Sequence, residues 1–95
     1  MAAMYNPAHP GEIIREEING LGLTVSAFAE HLKITRANLS RILNGKGGVS
    51  AEMSIRLSEA FGTSPDLWLK MQVNYDLWIA SRHRKVKIKP IRKAA

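Results

Sequence analysis

Apolar residues recur at helical spacing through most of the first eighty positions. Ile13, Ile14, Ile18 and then Leu21 mark one side of a segment that opens at Pro10, and Gly20 and Gly22 end it. Proline suits the first helical position, and Glu12 in the first turn complements the helix dipole. Val25, Phe28, Ala29 and Leu32 fall at i, i+3, i+4 and i+7 of a second helix, with Thr24 as its N-cap. Thr35 caps a third, backed by Leu39, Ile42 and Leu43 and closed by Gly45 as the C′ glycine. Ile34 lies in the turn and plugs the angle between these two helices. Ser50 opens a fourth with Glu52 and Met53 in its first turn; Leu57 and Phe61 anchor it inward, and Gly62 stops it. Ser64, Pro65 and Asp66 supply a cap, an N1 proline and an acid, which predicts a fifth helix over roughly Pro65 to Ala80. The fold class is therefore all-α, with five helices.

In the fifth segment Trp68, Met71, Tyr75 and Ile79 form one stripe, while Leu67, Val73 and Leu77 lie outside it. That is more apolar circumference than a surface helix needs. One side can face the preceding helices; the other is an exposed patch unless a second subunit covers it. A 95-residue domain buries a limited share of its surface, which favours a homodimer sharing apolar area. Trp68, Met71, Tyr75 and Trp78 are the residues expected at that interface. Tryptophan and tyrosine at helical spacing are more often core than a ligand box, so no cofactor is expected.

Thr24 to Gly45 is the stretch around which function is organised. Two short helices joined by a tight turn match the helix-turn-helix spacing. On a wheel of about 100° per residue, Leu39, Ile42 and Leu43 share one side of the second helix. Arg36, Ala37, Ser40, Arg41 and Asn44 occupy an arc of about 140° on the other. Nothing in the packing requires that polar front. It suits a major groove, where an arginine bonds the O6 and N7 of guanine and a small residue lets the helix approach a thymine methyl. Asn38 lies nearly opposite Arg36 and ranks below it as a base reader. The alternative is two surface arginines on an ordinary hairpin, since exposed arginines are common; the two-helix spacing counts against it.

Charge sharpens this picture. The net charge is +6, and its distribution is uneven. Residues 1–32 carry Arg15 against Glu12, Glu16, Glu17 and Glu30, a net −3. Lys33, Arg36, Arg41, Lys46 and Arg56 against Glu52 give residues 33–56 a net +4. Residues 57–80 are at −2, and residues 81–95 hold seven basic groups and no acid. Positive charge thus concentrates on the reading helix and on the tail, an arrangement that phosphate backbones reward through counterion release. The glycines after Lys46 allow close backbone approach to a phosphate, or serve only as a flexible turn. The acidic outward face of Glu12, Arg15, Glu16 and Glu17 reads first as a solvated surface and second as a site for a basic protein. Residues 1–8 form a short arm without periodicity, residues 9–80 the helical domain, and residues 81–95 a basic tail. Within the tail, Lys alternates with Val and Ile, a hint of a short strand, but Pro90 and the charge density favour a mobile arm that adds nonspecific DNA affinity.

Other chemistry is not indicated. Cysteine is absent, which removes disulfides and thiol catalysis. His9, His31 and His83 lack metal-ligand spacing and read as surface residues. No glycine-rich phosphate loop follows a strand. Glu16 and Glu17 are adjacent and point apart on a helix. No metal, no cofactor and no enzyme activity are expected. No apolar run approaches the ~20 residues of a membrane span, and the first ten residues do not make a signal peptide, so a soluble cytoplasmic protein is expected.

Beyond these patterns, HPGEIIREEI at 9–18, LGLT at 21–24 and FGTSPDLWLKMQVNYDLW at 61–78 resemble the HigA family of antitoxins. These belong to the broad Cro/lambda-repressor-like, XRE-type helix-turn-helix class. The resemblance covers about residues 9–80, with two separated motifs flanking the reading unit. It implies a five-helix all-α domain, a homodimer, and repression at a palindromic operator in the protein's own promoter. It also implies neutralisation of a small basic RelE-like toxin that cuts mRNA on the ribosome. By that resemblance Arg36, Ala37 and Arg41 match base-reading positions. Thr35, Asn44 and Lys46 match positions near phosphates, Ser26 joins them from the preceding helix, and Ser40 on the same front is expected there too. Two departures stand out: Lys33 occupies the turn where many relatives place glycine, and the chain is basic where antitoxins are often acidic. Two other readings compete, a stand-alone helix-turn-helix repressor with no toxin and a protein-interaction module whose basic face is incidental.

Overall fold

The computed structural model describes residues 6–92. Among them five helices follow one another: α1 (Pro10–Gly20), α2 (Val25–Leu32), α3 (Arg36–Leu43), α4 (Ala51–Phe61) and α5 (Leu67–His83), with no strand. The caps explain most of the boundaries. Thr24 Oγ1 accepts from Ala27 N at 3.0 Å, Thr35 Oγ1 from Asn38 N at 3.0 Å, and Ser50 Oγ from Met53 N at 3.1 Å. Gly45 and Gly62 both sit at φ 72°, the left-handed geometry that ends α3 and α4 without a Cβ penalty. Lys33 adopts the same region at φ 62°, ψ 42°, closing α2 where a glycine would be unstrained.

The core lies where the apolar stripes converge. Ile14 and Ile18 of α1, Phe28 and Leu32 of α2, Leu39 and Ile42 of α3, and Leu57 of α4 are all buried. Each such side chain contributes about 1.5–3 kcal/mol by leaving water. Gly11 brings α1 against α3 so closely that a Cβ there would run into the carbonyl of Ile42. Phe28 stacks on Phe61 with ring centroids 5.2 Å apart, and Phe61 meets Trp68 at 5.5 Å, an aromatic run that joins α2, α4 and α5. Ile34 packs against this core from the α2–α3 turn, as its position in the pattern predicts.

Three expectations need correction. Trp68, expected at a subunit interface, is a core residue with 3% exposure; its indole Nε1 donates to Thr63 Oγ1 at 3.1 Å, so the ring is used up within its own chain. His9 is buried rather than on the surface. Its Nδ1 accepts from Gly11 N at 2.9 Å as the N-cap of α1, and its ring meets Tyr75 edge-on at 4.9 Å. The fifth helix starts at Leu67, not Pro65, because Ser64 and Pro65 form a turn anchored by Ser54 of α4. The Ser54 hydroxyl donates to the carbonyl of Pro65 at 2.7 Å and accepts from Leu69 N at 3.0 Å. Asp66 caps α5 without a side-chain bond to the first turn; instead it pairs with Lys70 at 2.8 Å. That hydrogen bond and charge lower the Asp66 pKa and raise that of Lys70. The alternating tail, read as an arm rather than a strand, is exposed and non-helical over residues 84–92. Residues 1–5 of the N-terminal arm and 93–95 of the tail lie outside the described residues.

Candidate nucleic-acid interface

The back of α3 is fixed by burial: Leu39 is 0% exposed, Ile42 2% and Leu43 5%. Its front is open. Arg36, Ala37, Arg41 and Asn44 are exposed and Ser40 is half-buried, as the wheel places them. Among the described residues neither the Arg36 nor the Arg41 guanidinium donates a hydrogen bond or forms an ion pair. Two free guanidinium groups and a methyl side chain therefore share one face of a helix that its own packing immobilises. Such a surface can enter a groove and bond base edges bidentately. Asn38 is also exposed, its backbone N–H bound to the Thr35 cap, and two residues along a helix set it about 200° from Arg36.

The positions expected near phosphates lie on α2, α3 and the loop that follows. Thr35 Oγ1 already accepts from the first turn of α3, while Ser26 is exposed in the first turn of α2. Lys46 is exposed just beyond α3, and its backbone N–H is bound to the carbonyl of Arg41 at 2.8 Å, which folds the loop back on the helix. Asn44 is partly engaged: its Oδ1 accepts from Arg15 Nη2 at 2.8 Å, and its Nδ2 donates to Ser40 Oγ at 3.4 Å. The structure thus brings Ser40, Asn44 and Arg15 into one chain across α1 and α3.

Three contributors were not singled out by the pattern. Arg15 counted only as part of an acidic outward face, yet it reaches the end of the reading helix. Arg56 counted only as charge; its Nη1 donates to the carbonyls of Leu32 at 2.9 Å and Lys33 at 3.0 Å, while Nε pairs with Glu52 at 3.0 Å. It caps the exposed end of α2 at the strained turn and so holds the angle between α2 and α3. Gln72 is 6% exposed on α5. Its Oε1 accepts from Val49 N at 2.9 Å and its Nε2 donates to Asp76 Oδ1 at 2.9 Å, which ties the loop after α3 to the last helix. Gln72 lies four residues after Trp68, so helical spacing alone puts it on the inward stripe. Nothing in the sequence signals the partners of Arg56, because they are 23 and 24 residues away.

Of the residues expected at a dimer interface, Met71, Tyr75 and Trp78 are half-buried. The exposed apolar surface of α5 is instead Leu77 at 62%, Val73 at 45% and Leu67 at 37%. Among the described residues no group of three His, Cys, Asp or Glu side chains is placed to hold a metal ion, and no helix is long and apolar enough to cross a membrane.

A tightly packed pair of short helices presenting a basic, small-residue front defines a helix-turn-helix protein of the DNA-binding kind. The comparisons with known proteins agree. A family model described as helix-turn-helix matches residues 14–68. Virulence-associated protein A′ of Dichelobacter nodosus is 49% identical over 75 residues, covering 78% of this chain and 65% of that protein, a little under two thirds of its length. The solved structure of a HigA-family addiction module antidote protein from Coxiella burnetii is 38% identical, with a TM-score of 0.78 over 82% of this chain and 86% of the other. Antitoxin HigA of Pseudomonas aeruginosa, solved with the higBA promoter, is 32% identical with a TM-score of 0.77, over 90% of this chain and 99% of the other. The chain belongs to the helix-turn-helix family of HigA-type antitoxins.

Proposed function

We propose that this protein is a dual-role antitoxin: a homodimer that represses its own operon and neutralises a RelE-like toxin. The observation that carries the DNA half is the front of α3, where Arg36, Ala37 and Arg41 are exposed and free above a buried back. In this reading Arg36 and Arg41 bond guanine edges and Ala37 lies against a thymine methyl. Ser26, Thr35, Ser40, Asn44 and Lys46 lie along the flanking phosphates. The P. aeruginosa relative solved with promoter DNA supports it at 32% identity. The toxin half is supported by a different surface. Glu12, Glu16, Glu17 and Glu30 are exposed on α1 and α2, and a small basic protein would find complementary charge there. The dimer half is supported by the exposed apolar side of α5.

Titration of a duplex from the gene's own promoter, against an unrelated duplex of equal length, tests the repressor role. The promoter duplex is expected to bind tighter by several orders of magnitude at physiological salt. Equal affinity for both would remove the operator-reading role. Co-purification with the product of a neighbouring short reading frame tests the toxin role. A stable complex is the expected result, and a neighbour that never co-elutes would leave a repressor alone.

A further inference from the structure

The tail offers a second DNA contact of a different kind. We propose that residues 84–92 lie along the duplex beside the operator and bind its phosphates without reading bases. This inference rests on the operator-binding reading above and deepens it.

Four observations carry it. First, Lys85, Lys87, Lys89 and Arg92 are exposed, and none forms an ion pair among the described residues, where the pairs present are Arg56 with Glu52 and Lys70 with Asp66. The chain's own acidic face on α1 therefore leaves them free. Second, Arg82 in the last turn of α5 and Arg84 just beyond it are engaged locally. Arg82 lies over the Trp78 ring at 4.8 Å, and Arg84 donates Nε and Nη2 to the carbonyl of Val86 at 3.0 and 2.8 Å. Those contacts engage two cations just before the free ones begin. Third, the apolar residues between them have no core to join: Val86 is 66% exposed, Ile88 75% and Ile91 101%. The tail is not held by packing. Fourth, the spacing suits a repeating polyanion. On an extended backbone Lys85, Lys87 and Lys89 fall on one side about 6.6 Å apart. That is close to two axial phosphate steps of about 3.4 Å on one DNA strand. Nine extended residues reach about 30 Å, enough to leave the footprint of the reading helix. An acidic protein would offer scattered carboxylates, whereas a duplex offers a continuous row.

The test compares the full chain with its K85Q/K87Q/K89Q/R92Q variant, measured by fluorescence anisotropy on the promoter duplex and on an unrelated duplex between 50 and 200 mM salt. The plot of log affinity against log salt should lose about 2–4 of its slope on both duplexes, at about 0.9 per phosphate contact. Affinity should fall about tenfold or more on both, with the preference for promoter over unrelated DNA unchanged. The K85R/K87R/K89R variant, which keeps the charge, should retain the original slope. Unchanged slope and affinity in the neutralised variant would overturn the tail contact while leaving the operator reading intact. A loss confined to the promoter duplex would overturn its sequence independence. Should the unaltered chain show no preference for its promoter, the operator reading fails, and the slope on unrelated DNA still decides the tail.

Discussion

Lys33 is the residue at which sequence and backbone disagree most. It holds φ 62° and ψ 42°, a conformation that costs an L-residue about 1–2 kcal/mol. Arg56 offsets this by bonding the carbonyls of Leu32 and Lys33 from α4. Lys33→Gly should therefore raise stability by about 0.5–1 kcal/mol, the strain relieved less the entropy glycine adds to the unfolded chain. Urea denaturation measures it, and a drop in midpoint would contradict a strained turn. The family resemblance singled out position 33 in the turn; its support was not legible, since no local pattern reports a bond across 23 residues. His9 was missed for a related reason. A lone histidine without metal-ligand spacing reads as a surface residue, and only the fold shows its ring against Tyr75 and its Nδ1 on the first turn of α1.

At the scale of elements, the apolar stripes and caps located α1 to α4 within a residue or so, because each has a side-chain cap and a clean buried face. Helix α5 was harder. Its apolar residues wrap most of its circumference, so periodicity could not say that Trp68 turns inward while Leu77 turns out. Its start depended on Ser54, a hydroxyl on another helix. The α1–α3 contact, which sets how α3 stands out from the body, depends on Gly11. Gly11→Ala would force its Cβ into the carbonyl of Ile42, and should cost about 1–3 kcal/mol of stability as overpacking does. A thermal unfolding midpoint unchanged from the parent would mean that the two helices can separate freely.

As a whole molecule, the protein has one surface made for a polyanion and another that looks unfinished. Leu77, Val73 and Leu67 leave an apolar strip on α5, which a second copy would cover in the proposed dimer. Leu77→Glu should weaken self-association by about tenfold to a hundredfold, from the roughly 1.5–3 kcal/mol that a buried leucine contributes. Sedimentation equilibrium reads this directly; an unaltered monomer–dimer balance would place the interface elsewhere. The free dimer should hold its two α3 helices about 34 Å apart, one turn of duplex.

The proposed operator binding depends on α3 reading bases with its free guanidinium groups. Arg36→Ala tests that claim most directly, by binding isotherms on the promoter duplex and on a set in which each base pair of the site is changed in turn. The affinity should fall by about 1–3 kcal/mol, and discrimination should relax at one position while remaining elsewhere. An unchanged affinity with every base preference intact would contradict it.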